Sequence, residues 1–174
     1  AALPRSRPRM VAELLGGGLL AALVLWLTYW AIDRQLALVG YDRLAPLNPR
    51  LVYCSVSAFG PEGPWREKPG LDMLVQAMGG LMSVTGHLDG EPGAGPMKVG
   101  PSIVDYMTGM NSSIGILAAL YHRKANGGEG QHVDVCLFDT VIASLSHWLQ
   151  IYLVNGETPP RRGTWGNGGM PAGV

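Results

Sequence analysis

From Val99 to Arg123 the chain reads VGPSIVDYMTGMNSSIGILAALYHR, a run of apolar and small residues with a single carboxylate, Asp105. The spacing predicts one helix from about Ser102 to the KANGGEG segment, where Gly127 and Gly128 stop it. His122, Arg123 and Lys124 fall in the last turn, where cations complement the helix dipole. A helix this long and this apolar obliges the shorter elements around it to pack against it. It also raises the question of why its one acid stands at its mouth.

After Gly40 the remaining texture is one of short alternating elements between turn residues, the pattern of an α/β domain. Arg50–Gly60 has the β-branched and aromatic content of a strand and stops at GPEGP. Leu71, Leu74, Val75 and Met78 recur at helical spacing until Gly79 and Gly80 interrupt them. HLDGEPGAGPMKVGP reads as a long loop. QHVDVCLF alternates as a strand, and DTVIASLSHWLQIYLVNG reads as one amphipathic helix closed by Gly156. The Gly/Pro-rich tail brings no closing element, so the chain is expected to be a fragment.

Charge narrows the partners. Lys and Arg number 13 against 13 Asp and Glu, so no net field draws in nucleic acid or an anionic membrane, and recognition has to be local. Cys54 and Cys136 lie far apart without a CxxC or Cys/His cluster. That predicts no metal site, a reducing compartment, and two buried free thiols. Leu14–Ile32 carries no charge and is preceded by Arg5, Arg7 and Arg9. By length and flanks it passes as a transmembrane helix or signal anchor. Gly16–Gly18 weaken that reading, because each glycine costs about 1 kcal/mol in a helix interior. A buried helix, or an end that does not belong to the fold, are the other readings.

Ser102 and Asp105 match the S-x-x-[DE] capping box, in which each side chain satisfies a first-turn N–H. The other reading of Asp105 is a nucleophile or base facing a cleft. The helix dipole favours a charged first-turn acid, and an acceptor-only carboxylate suits nucleophilic attack better than general acid work. No second group is obviously paired with it. His87, His122, His132 and His147 are scattered, GxSxG is missing, and GNGGMPAG lacks the lysine of a P-loop. Asp72 and Asp139 each stand where they could cap a helix.

Several stretches together resemble the family III CoA-transferases, the superfamily of formyl-CoA transferase, carnitine CoA-transferase and α-methylacyl-CoA racemase. They are LNPRLVYCSVSAFGPEGPWREKPGLDMLVQAMGGLMSVTG and VGPSIVDYMTGMNSSIGILAALYHRKANGGEGQHVDVCLFD. The resemblance implies an α/β fold, part of a Rossmann-like large domain, to which the apolar run Leu14–Ile32, without counterpart in the family, adds an atypical N-terminal helix. It implies that Asp105 is the catalytic aspartate, which attacks an acyl-CoA thioester and passes CoA to a carboxylic acid acceptor through a mixed anhydride and an aspartyl thioester. Gly109, one turn on, would leave room for the thioester. Lys68, Pro69, Gly70, Leu71 and Asp72 match the region that lines the CoA site in relatives, and a lysine there suits a phosphate. Racemases carry a histidine where this chain has Leu71, which argues for transfer over proton exchange.

Upstream the agreement fails. Gly40 and Tyr41 keep their distance from the NPR strand, but no N-F-x-P-G turn precedes them, and the CoA-contacting arginine of relatives falls on Leu36 or Arg34. Residues 1–35 are therefore read as an apolar segment foreign to the fold, and 36–174 as a partial domain truncated at both ends. The resemblance further implies an interlocked homodimer, a cytoplasmic location unless 14–32 is a genuine anchor, no tightly bound cofactor, no metal and no nucleic acid. A fragment of this kind is expected to be inactive and poorly soluble alone.

Overall fold

The computed structural model describes residues 39–165 together with Leu23, Val24 and Leu27. Those three residues are helical; the rest of the Leu14–Ile32 run lies outside the described residues. Among the described residues no single helix is long and apolar enough to cross a membrane. The chain divides into two units, 1–49 and 50–174. In the first, α1 (Tyr41–Leu44) is one short turn whose Arg43 and Leu44 N–H groups return to the Gly40 carbonyl.

The second unit is a mixed α/β arrangement. Its elements in order are β1 (Tyr53–Ser57), α2 (Asp72–Met78), a 3₁₀ turn (Leu81–Val84), α3 (Ile103–Ala125), β2 (His132–Cys136), α4 (Leu137–Ser144) and α5 (Ser146–Asn155). β1 and β2 pair in parallel, with Tyr53 opposite His132 and Ser57 opposite Cys136. A parallel pair needs a crossover connection, and α2 and α3 supply it. α3 rests on β2 at Gly115, where a Cβ would come within 2.7 Å of the Val133 side chain. A glycine is what lets helix and strand approach this closely.

The core gathers where α2, α3 and α4 meet. Val75, Val104, Leu137, Val141 and Leu145 are buried together, with Ile103, Met107 and Phe138 packed around them. Gly79, at the end of α2, abuts Val141 and leaves no room for a side chain. The buried stripe of α3 is Val104, Thr108, Ser112 and Ala119. Its hydroxyls are satisfied within the helix, Thr108 donating to the Val104 carbonyl at 2.7 Å and Ser112 to that of Thr108 at 2.8 Å.

Two expectations need correction here. Residues 139–156 do not form one helix, because α4 and α5 meet at a 68° bend. Leu145 lies at the break, its side chain drawn into the core while its N–H is shared between the Val141 and Ile142 carbonyls. Ser144 Oγ donates to the Val141 carbonyl as well, at 2.7 Å, and this competition loosens the regular ladder. The strand read as QHVDVCLF ends at Cys136, where the chain passes straight into α4.

Candidate active site

α3 begins as its spacing predicts, but the Ser102 side chain makes no capping hydrogen bond. The donors are met instead by Asp72, from the start of α2. Its Oδ1 accepts the Val104 N–H at 2.8 Å and the Asp105 N–H at 3.3 Å. Its Oδ2 accepts from Gln76 Nε2 at 2.6 Å, and Gln76 Oε1 accepts the Val99 N–H at 3.0 Å. Asp72 is only 6% exposed and Gln76 is fully buried, so this is an interior network with its polar atoms paired. The local capping box is thus replaced by a cap reaching across from another helix.

The Asp105 carboxylate itself is unengaged. The residue is exposed, and its side chain has no hydrogen-bonding or ionic partner among the described residues. A Cβ placed on Gly109, one turn along the same face, would meet no atom within 4 Å. The site is therefore a bare carboxylate on a helix whose first turn is held from beneath.

The loop after β1 leads to the same place. Phe59 packs edge-on against Trp65 at 5.3 Å and tilted against Phe138 at 5.9 Å, which ties the loop to the start of α4. Gly70 abuts Ala58 without space for a side chain. Lys68, Pro69 and Leu71 are exposed, Leu71 to 72%. Asp72 differs from them, because its carboxylate is turned inward and both oxygens are occupied. The described geometry thus joins Asp72 to the backbone of Asp105, with Lys68–Leu71 in the chain directly before it.

The other candidates settle into structural positions. Asp139 does not cap α4 with its carboxylate; its N–H donates to Cys136 Sγ, which serves as the cap. Burial pushes the Cys136 thiol up from its ordinary value, so it stays neutral and unreactive. Cys54 is half-buried rather than buried, and both thiols are free. Among the described residues no group of three His, Cys, Asp or Glu side chains could hold a metal ion.

One cluster escaped the sequence reading: Ser55 Oγ and His132 Nε2 lie 2.6 Å apart across the paired strands. The parallel register brings them together, which nothing local in either strand signals. Asp134 Oδ2 stands 3.9 Å from the same nitrogen, whereas a catalytic triad needs its acid on the far nitrogen of the ring. The cluster is not a triad.

Comparison with known proteins gives the family of the chain. The family model described as CoA-transferase family III matches residues 33–174. The chain is 44% identical over 123 residues to a succinate–glutarate CoA-transferase of Agrobacterium fabrum, covering 71% of this chain and 30% of that one. It is 42% identical over 123 residues to an acetyl-CoA:oxalate CoA-transferase of Acetobacter aceti, covering 71% and 31%. The crystal structure of a CAIB/BAIF family protein from Brucella suis superposes with a TM-score of 0.67 at 41% identity, covering 72% of this chain and 32% of that one. The chain thus spans about a third of the length of the curated relatives it matches. With a match over most of its length and these relatives, the chain belongs to CoA-transferase family III.

Proposed function

We propose that this protein transfers coenzyme A between carboxylic acids, with Asp105 as the covalent nucleophile. The observation that carries the reading is the exposed, unpartnered Asp105 carboxylate on a first turn anchored from below, with the open surface of Gly109 beside it. An Asp105 oxygen attacks the donor thioester carbonyl; the C–S bond breaks, CoA leaves as thiolate, and a mixed anhydride forms. The thiolate attacks the aspartyl carbonyl, releasing the donor acid and leaving an aspartyl-CoA thioester. The acceptor carboxylate then attacks that thioester, and the thiolate returned by this step attacks the acceptor carbonyl of the second anhydride. Acceptor-CoA leaves and Asp105 is regenerated, with no net proton transfer, so no partner base is required.

Lys68, with Pro69, Gly70 and Leu71, is assigned to the CoA side, where its ammonium would meet phosphate. Leu71 offers no proton, which disfavours a racemase. The relatives' names pair CoA with succinate, glutarate and oxalate, so the acceptor is assigned to the short dicarboxylic acids. The remaining features follow the family reading: a Rossmann-like large domain, an interlocked homodimer, a cytoplasmic location and no tightly bound cofactor. The test is to incubate the protein with succinyl-CoA and glutarate, quench with hydroxylamine, and map modified peptides by mass spectrometry. A hydroxamate at Asp105 is expected; full activity in Asp105→Ala would sink the mechanism.

A further inference from the structure

We infer that Asp72 is a positioning residue for Asp105, setting the place of the nucleophile through the backbone of the first turn of α3. The inference rests on Asp105 being the nucleophile. Three segments converge on this carboxylate: α2, which carries it, the first turn of α3 through Val104 and Asp105, and the Val99 segment through Gln76. Helix stability alone does not call for such an arrangement. Ser102 stands at the N-cap and could accept a first-turn N–H locally, yet its side chain makes no such bond. A carboxylate buried to 6% exposure is costly unless well paired. What it adds over a local serine is a fixed distance between the Lys68–Leu71 loop, immediately before it in the chain, and the Asp105 backbone.

The network also has a direction. A backbone N–H can only donate, so Val99 requires the oxygen of the Gln76 amide, which turns the Gln76 nitrogen toward Asp72. Asp72 must therefore accept at Oδ2 while also accepting two N–H groups at Oδ1. Asp72→Asn keeps the cap but sets two NH₂ groups against each other. Gln76→Glu alone sets two carboxylates against each other. Both changes together restore every hydrogen bond: the new amide at position 72 donates to the new carboxylate at position 76, whose other oxygen accepts from Val99.

The test compares Asp72→Asn, Gln76→Glu and the double variant in transfer of CoA from succinyl-CoA to glutarate. Amide hydrogen exchange at Val104 and Asp105 is followed in parallel. A nucleophile displaced by about 1 Å loses on the order of a hundredfold in rate. Each single variant is therefore expected to lower kcat by about ten- to a hundredfold with KM little changed, and to speed exchange at Val104 and Asp105. The double variant should recover most of both. Single variants that fold and keep kcat overturn the inference, as does a rise in KM alone, which would make Asp72 a substrate-binding group. A folded double variant that stays as slow as the singles overturns it too. Asp105→Asn separates the two readings. Activity in that variant overturns the nucleophile and with it the role given to Asp72, whereas an inactive Asp105→Asn beside an unimpaired Asp72→Asn overturns only the positioning role.

Discussion

Gly109 stands one turn after Asp105 in the exposed interior of α3, with open space where a side chain would go. Its helical backbone suits any residue, so Gly109→Ala is expected to stabilise the chain by about 1 kcal/mol, read as a higher urea midpoint at unchanged slope. If the bare surface serves the thioester, Gly109→Leu should fold equally well and transfer CoA about tenfold more slowly. A fully active leucine variant would show that the space is not used. The spacing of Asp105 and Gly109 was legible in the sequence because both lie on one face of a single helix. The inward turn of Asp72 was not, since the α3 N–H groups it accepts lie some thirty residues away in the chain.

At the scale of elements, the start of α3 separates a local signal from the contact that satisfies it. Replacing a working N-cap serine costs about 1 kcal/mol, but the Ser102 side chain makes no cap bond here. Ser102→Ala is therefore expected to change stability by less than about 0.5 kcal/mol. Asp72→Ala leaves Val104 N–H and Gln76 without acceptors and should cost about 2–4 kcal/mol. Urea denaturation of the two variants checks the contrast, and equal losses would restore the capping box. The bend at Leu145 teaches the same lesson. Apolar spacing runs unbroken from α4 into α5, and only the pull of Leu145 into the core shows where the helix divides.

At the scale of the whole molecule, α3 packs one side into the core and leaves an apolar row exposed on the other. Its buried stripe faces β2 and α4, while Tyr106, Met110, Ile114, Leu117 and Tyr121 follow one another along the other side, each at least 63% exposed. An exposed apolar row of this length marks an interaction surface, which suits a chain spanning about a third of the length of its relatives. The chain is expected to bind the hydrophobic dye ANS in its native state. Ile114→Glu with Leu117→Lys should lower that fluorescence by about twofold without moving the urea midpoint. Unchanged fluorescence would place the dye elsewhere.

The sequence by itself determined the alternation of helix and strand after Gly40, where α3 begins and ends, and that its one acid stands at its mouth. All of these depend on neighbours within a few residues, through side-chain periodicity, glycine stops and the helix dipole. Only the tertiary structure decided which group caps α3, where the last helix bends, and that Ser55 meets His132 across the strands. Those depend on donors and acceptors brought together by packing, and a buried hydrogen bond is made to whichever partner the fold delivers rather than to the nearest one in the chain. Asp72, from another helix, took the capping role that local spacing had assigned to Ser102, and the Asp105 carboxylate stands clear on the same first turn.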